Sequence, residues 1–146
     1  MSGEIPRRVL EDIYAHAREG YPEEVCGMII GGDEARRCEN RQNQLHAEDP
    51  VTFPRTAREA YNFGPKDLFF LDKSLRGPRK VNIIYHSHVD VGAYFSAEDV
   101  RAAAPDGELT YPVDFLVVDV GAEGVRESKL FRFTDGTFVE IARFGP

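Results

Sequence analysis

The sequence predicts a single α/β domain, residues 1–146, in which helices flank a mixed β-sheet. Three observations support this prediction. The 146 residues match the length of one ordinary domain. Segments with apolar residues at helical spacing are mixed with short apolar runs that are typical of buried strands. The last part of the chain contains a hairpin signal, so at least one pair of strands is antiparallel.

The first two predicted elements are a helix over residues 6–19 and a strand over residues 25–30. In the helix the apolar residues recur at helical spacing: Val9, Leu10, Ile13, Tyr14 and Ala17. Pro6 suits the first turn of a helix, and Gly20 suits its end. The strand is a continuous apolar run that ends at two glycines, which indicates that it is buried.

The middle of the chain is more polar. Residues 36–45 have an extended character and predict an edge strand. Residues 46–66 contain Pro50, Pro54, Gly64 and Pro65, so we predict a long loop there. Loops of this length in a compact domain are often lids or binding segments. A second helix is predicted over residues 66–76, with Gly77 just beyond it.

The second half of the chain supplies the remaining strands and one more helix. A strand over residues 81–85 leads directly into His86-Ser87-His88, and a third helix is predicted over residues 96–104. The strongest strand pattern covers residues 113–120. Two further strands, at about 126–133 and 137–143, are joined by the turn sequence Thr-Asp-Gly-Thr.

Composition excludes several classes of function. A net charge of −7 disfavours nucleic-acid binding, which depends on clustered lysine and arginine. The sequence has no run of about 20 apolar residues, so we expect no membrane span. The first residues lack the apolar core of a signal peptide, which predicts a cytoplasmic location. Cys26 and Cys38 are too few for a thiolate zinc site, and Cys26 lies in an apolar run that predicts a buried, unreactive thiol.

The segment from His86 to Asp99 contains a possible metal site. Residues two apart in a strand point to the same face of a sheet, so His86 and His88 can present two imidazoles to one ion. Asp99 follows 11 residues later and can supply a carboxylate. Two imidazoles and one carboxylate form a catalytic type of zinc site, which keeps one position for water. Zinc lowers the pKa of such a water to about 7.

The same residues allow other interpretations. An H-x-H pair alone is weak evidence for a metal, and Ser96 with Asp99 also fits a capping box that merely starts a helix. Two histidines and one carboxylate also bind iron in non-haem oxygenases. Metal-assisted hydrolysis further needs a base, for which Glu24 and its neighbour Glu23 are candidates, although both could be surface residues in a turn.

The combined spacing resembles the JAMM (MPN-plus) metalloprotease family. The pattern of that family is a Glu, then H-x-H-x(7)-S-x(2)-D. Here PEEVCGMIIG and YHSH are followed by seven residues, 89–95, and then by Ser-x-x-Asp. The resemblance covers roughly residues 5–120. One departure is Val89, where many members have proline.

The resemblance implies a fold, a cofactor and a role for each matching residue. It implies a cytidine deaminase-like fold and one Zn²⁺ ion bound by His86, His88 and Asp99. The residue that matches the general base is Glu24 rather than Glu23. Ser96 matches the serine that orients the water and stabilises the oxyanion.

The resemblance also implies a function. The implied function is that of a zinc metalloprotease or isopeptidase, which cleaves an amide bond after the C-terminal Gly-Gly of a ubiquitin-like or sulfur-carrier protein. The alternatives are a non-catalytic MPN-type scaffold and a general peptidase. In the long loop, Arg55, Arg58 and Tyr61 either contact the substrate or are simply solvated.

Overall fold

A computed structural model of the protein describes residues 3–146; the first two residues of the predicted domain lie outside the described residues. The elements in chain order are α1 (Arg7–Gly20), β1 (Cys26–Ile30), β2 (Glu34–Cys38), α2 (Gln42–Glu48), α3 (Pro65–Leu75), β3 (Val81–Val89), α4 (Ala97–Ala103), β4 (Asp114–Gly121), β5 (Gly124–Thr134) and β6 (Thr137–Phe144). The predicted fold class, an α/β domain with a mixed sheet flanked by helices, is confirmed.

The six strands form one sheet in the order β2-β1-β3-β4-β5-β6. β3 and β4 are parallel, because the chain crosses from one to the other through α4. The other neighbouring pairs are antiparallel, including the predicted terminal hairpin of β5 and β6. β3 therefore lies inside the sheet, where Cys26 of β1 and Val117 of β4 flank His86 in register.

Helices cover the two faces of the sheet, as its apolar strands require. On one face α1 packs its predicted apolar stripe against alternate residues of the central strands, among them Ile29, Ile83 and Leu116. On the other face Leu71 of α3 packs with Met28 and Ile84. The histidines of β3 therefore lie in a strand that is buried on both faces.

Gly27 of β1 is needed for close packing beside the histidines. A Cβ atom at this position would approach the ring of Tyr85 to 2.3 Å, well inside contact distance. Tyr85 is fully buried, and its hydroxyl is 2.7 Å from Nδ1 of His16 on α1. The absence of a side chain at Gly27 thus lets the Tyr85 ring pack over β1, one residue before His86.

The prediction for residues 36–45 was wrong in its second half. The strand is β2, which ends at Cys38, and α2 follows at residues 42–48 inside the segment predicted as an extended strand and loop. The sequence QNQLHAE is rich in good helix formers but has no apolar stripe, and only Gln42 of its residues is buried. The long loop is correspondingly shorter than predicted. Among residues 3–146 no helix combines the length and the apolarity that crossing a bilayer requires.

Candidate metal centre

His86 and His88 lie on one face of β3 and are almost completely buried, with exposed fractions of 0% and 4%. Ser87 between them points to the opposite face, as strand geometry requires. Its Oγ accepts a hydrogen bond from the backbone N–H of Val25 at 2.8 Å, and its own N–H donates to the Val25 carbonyl at 3.0 Å. Ser87 therefore joins the histidine strand to the start of β1, directly after Glu24.

The start of α4 brings Asp99 to the two histidines. The N–H of Asp99 donates to Oγ of Ser96 at 3.1 Å, and the N–H of Ser96 donates to Oδ2 of Asp99 at 2.9 Å. This capping box holds the carboxylate in a fixed position. Its oxygens lie 3.2 Å from Nε2 of His86 and 3.1 Å from Nε2 of His88. Asp99 thus starts the helix and faces the histidines at the same time.

The donor atoms fit a metal ion. One ligand atom from each of His86, His88 and Asp99 lies within 4.8 Å of the others. Both ring nitrogens of His86 are buried without a hydrogen-bond partner among residues 3–146, and Nε2 makes only the ionic contact of 3.2 Å with Asp99. An unpaired buried nitrogen is unfavourable, and a cation would satisfy it.

The second ring nitrogen of His88 supports the same fit. Nδ1 of His88 lies 3.0 Å from the carbonyl oxygen of Gly92. A carbonyl oxygen only accepts hydrogen bonds, so Nδ1 must carry a hydrogen and donate it. Such a bond leaves the lone pair of Nε2 free, and Nε2 faces Asp99. Burial acts to raise the pKa of the Asp99 carboxyl, but the two imidazoles hold this pKa well below its usual range. The triad thus offers two nitrogen lone pairs and one carboxylate.

Glu24 lies at the entrance to β1 and is 8% exposed. It shares a cavity of about 390 Å³ with His88, Ser96 and Asp99. Burial raises the pKa of Glu24 to about 9, and the charge of Asp99 adds to this effect, whereas Arg55 lowers the pKa. Glu23, by contrast, is exposed, and its carboxylate accepts a hydrogen bond from Nδ2 of Asn43 at 2.8 Å.

Comparison with known proteins identifies the family of this chain. Residues 6–133 match the Prok-JAB family, described as the prokaryotic homologs of the JAB domain. The chain belongs to this family. It is also 28% identical over 128 residues to the CysO-cysteine peptidases of Mycobacterium bovis and Mycobacterium tuberculosis, a match that covers 86% of this chain and 79% of each relative.

Two solved structures share the fold of this Prok-JAB domain. A Desulfitobacterium hafniense protein has a TM-score of 0.60 and 20% identity, with 93% of this chain and 87% of that chain covered. A Salinibacter ruber protein has a TM-score of 0.62 and 21% identity, with 100% and 92% covered. At these identities the two neighbours bear on the fold alone.

The Prok-JAB domain brings the five predicted site residues into one region. His86, His88 and Asp99 face each other, while Glu24 and Ser96 line the cavity beside them. One further contact was left open by the sequence: the Tyr61 ring stacks on His86 with centroids 4.6 Å apart. No sequence pattern predicts this stacking, since Tyr61 lies in a loop without periodicity.

The buried Glu24 carboxyl predicts a pH dependence of stability in the metal-free Prok-JAB domain. Its pKa of about 9 lies above that of an unfolded chain, about 4.3, so the free energy of unfolding falls as the pH rises between these values. Glu24→Gln removes this titration. The metal-free variant should therefore have a higher Tm than wild type at pH 8 but a similar Tm at pH 4. Equal Tm differences at both pH values, measured by circular dichroism, would contradict this assignment.

Proposed function

We propose that this domain is a zinc metallohydrolase that cleaves the amide bond after the C-terminal Gly-Gly of a ubiquitin-like or sulfur-carrier protein. The observation that carries the proposal is the meeting of a His-His-Asp triad with a buried acid and a serine in one cavity of a Prok-JAB domain. The relatives named CysO-cysteine peptidase support an amino acid joined to a carrier as the substrate.

The triad would hold one Zn²⁺ ion through Nε2 of His86, Nε2 of His88 and the carboxylate of Asp99. When bound, zinc polarises the amide carbonyl, lowers the pKa of a water molecule to about 7 and lowers the pKa of the nearby Glu24 carboxyl. The Nδ1–H···O bond from His88 to Gly92 keeps the His88 ring in the orientation that this role needs.

Glu24 acts as the general base in this proposal. Its carboxylate takes a proton from the attacking water and then returns it to the leaving amine, so one residue serves both halves of the reaction. The backbone around it is fixed, because its N–H donates to the Ala57 carbonyl at 2.7 Å and its carbonyl accepts from Nδ2 of Asn40 at 2.9 Å. A base held in this way is positioned before the substrate arrives.

Ser96 stabilises the oxyanion of the tetrahedral intermediate. Its Oγ already accepts the N–H of Asp99, which leaves the hydroxyl hydrogen available for donation into the cavity. A donor held by the helix cap does not have to reorganise as negative charge develops on the substrate oxygen.

Substitution of Ser96 separates capping from catalysis. We expect Ser96→Ala to cost about 1 kcal/mol of stability through the lost cap, whereas Ser96→Gly should cost only a few tenths. Both should lower kcat at least about tenfold, since both lack the hydroxyl donor. Thermal unfolding and steady-state kinetics measure the two effects. A Ser96→Gly variant with wild-type kcat would show that Ser96 is only a cap.

The substrate test compares kcat/KM for a carrier–cysteine conjugate, a peptide of the carrier tail alone and casein. Bare Gly-Gly offers little side-chain contact, so the folded carrier should contribute binding, and the conjugate should be cleaved much faster than the tail peptide. Equal rates on all three substrates would favour a general peptidase. Bound zinc without cleavage of any of them would favour the non-catalytic scaffold.

A further inference from the structure

We propose that Arg55 and Arg58 form a binding site for a carboxylate beside the candidate metal centre, and that this carboxylate is the free α-carboxylate of the leaving amino acid. The inference rests on the proposed function and extends it, because it assigns the leaving group to a free amino acid rather than to a lysine side chain of a protein.

The first support is a second cavity, of about 290 Å³, which continues from the first. Glu24, Arg55, His88 and Ser96 line both cavities, so the two meet at the proposed reaction centre. Arg58 lines the second cavity only. If the amide bond is cleaved where the two cavities meet, the carrier tail of the substrate would lie in one cavity and its leaving amine in the other.

The backbone that carries both arginines is anchored. We call residues 53–60 the arginine loop. Side chains of α2 hold it: Nε2 of Gln42 donates to the Arg55 carbonyl at 2.8 Å, and Oδ1 of Asn43 accepts from the Ala57 N–H at 2.8 Å. The Ala57 carbonyl in turn accepts the N–H of Glu24 at 2.7 Å. The arginines therefore project from a loop that is fixed relative to the base.

The guanidinium groups themselves are held loosely. Arg55 lies 3.9 Å from Glu98, and Arg58 lies 3.8 Å from Asp90, both beyond ordinary hydrogen-bond length. Each of these acids has a closer partner, Arg101 for Glu98 and, at 3.0 Å, the Tyr21 hydroxyl for Asp90. Both arginine side chains are about half exposed. Each can therefore turn to an incoming carboxylate without leaving a buried charge unpaired.

The chemistry of the two groups matches an amino acid. Arginine pairs with carboxylates through two parallel hydrogen bonds, which fixes orientation as well as charge. In a leaving amino acid the α-carboxylate is separated from the reacting nitrogen by one carbon, whereas a lysine side-chain amine has no charge near it. Three acids, Glu24, Glu59 and Asp90, also line the second cavity and oppose an anion, so the two arginines must outweigh them.

The test uses a matched pair of substrates. One is a blocked peptide that ends in Gly-Gly-Cys with a free carboxylate, and the other is its carboxamide; the same pair is prepared on CysO as the carrier. We expect wild type to cleave the acid form at least about tenfold faster in kcat/KM, the size of one charge-assisted hydrogen bond. Arg58→Gln should remove this preference by slowing the acid form about tenfold and the amide less than twofold.

Arg58 is the better residue to replace because Arg55 also lowers the pKa of Glu24 and would change the chemistry itself. Arg76→Gln is the charge-matched control, since Arg76 is exposed directly after the end of α3 and pairs with Asp72. The carboxylate site would be overturned if wild type cleaved the acid and the amide with equal kcat/KM, or if Arg58→Gln lowered kcat/KM equally for both. Either result would leave the proposal of a hydrolase standing.

Binding gives a readout that does not need turnover. Zinc-loaded Glu24→Gln should bind the acid peptide about tenfold more tightly than the amide, and Arg58→Gln in that background should abolish the difference. If no conjugate is cleaved but this difference in affinity is seen, the proposed hydrolysis fails and the carboxylate site stands. If both forms bind equally, the site is refuted whatever the activity.

Discussion

His88→Ala is expected to remove most of the bound metal and all hydrolytic activity. Nε2 of His88 is one of three donor atoms in the triad, and a site that keeps only His86 and Asp99 has too few ligands for tight zinc binding. The alanine also removes the Nδ1 contact to Gly92 that orients the ring. Metal content by inductively coupled plasma mass spectrometry, measured beside kcat/KM, gives the result.

The control for this variant is His16→Ala. His16 is also partly buried, and it bonds the Tyr85 hydroxyl on the opposite face of the sheet from the triad. His16→Ala should retain stoichiometric zinc, which separates the loss of a ligand from the general cost of removing a buried imidazole. Stoichiometric zinc in a folded His88→Ala protein would place the metal elsewhere.

Glu24→Gln is expected to keep its zinc but to lower kcat by at least about 10²-fold, the usual contribution of a positioned base. Glutamine is nearly isosteric with the acid and preserves the backbone contacts to Ala57 and Asn40, so the fold around the triad is retained. It cannot accept the proton of the attacking water. The loss should therefore appear in kcat rather than in metal content or in KM.

Glu23→Gln is the matched control for this second variant. Glu23 is adjacent in sequence, but its carboxylate is exposed and bonds Asn43 on α2. The change should leave kcat close to the wild-type value. An inactive Glu23→Gln together with an active Glu24→Gln would mean that the motif is shifted by one residue.

The helices and strands that the sequence predicted correctly are those in which apolar residues form a periodic or a continuous pattern. The stripe of α1 and the continuous runs of β1 and β4 are visible because burial selects apolar residues at fixed spacing. α2 was missed because it packs through polar contacts. Examples are the hydrogen bonds between the side chains of Gln42 and Asn43 and the arginine loop. Such long-range hydrogen bonds leave no periodic signal in the chain.

The candidate site divides in the same way. The H-x-H spacing defines a common face of a strand, so the pairing of His86 with His88 follows from local geometry. The position of Asp99 does not follow from its spacing alone, since it depends on how α4 begins. In the structure the capping box and the approach to the histidines occur together, so the two interpretations of Ser96 and Asp99 are compatible.

The second cavity and the arginine loop lay outside what the sequence could predict. Arg55 and Arg58 were indistinguishable from solvated surface residues, because their position depends on how the loop returns to Glu24. The identity of the ion is equally undetermined by donor type, since two histidines and one carboxylate also suit iron.

The most direct test of the central claim is anomalous X-ray scattering from crystals of the protein purified without added metal. We predict one peak at the zinc edge, about 2.0–2.2 Å from Nε2 of His86, Nε2 of His88 and a carboxylate oxygen of Asp99. A zinc peak at another place in the protein, or a peak at the iron edge in this triad, would contradict the proposal of a zinc hydrolase.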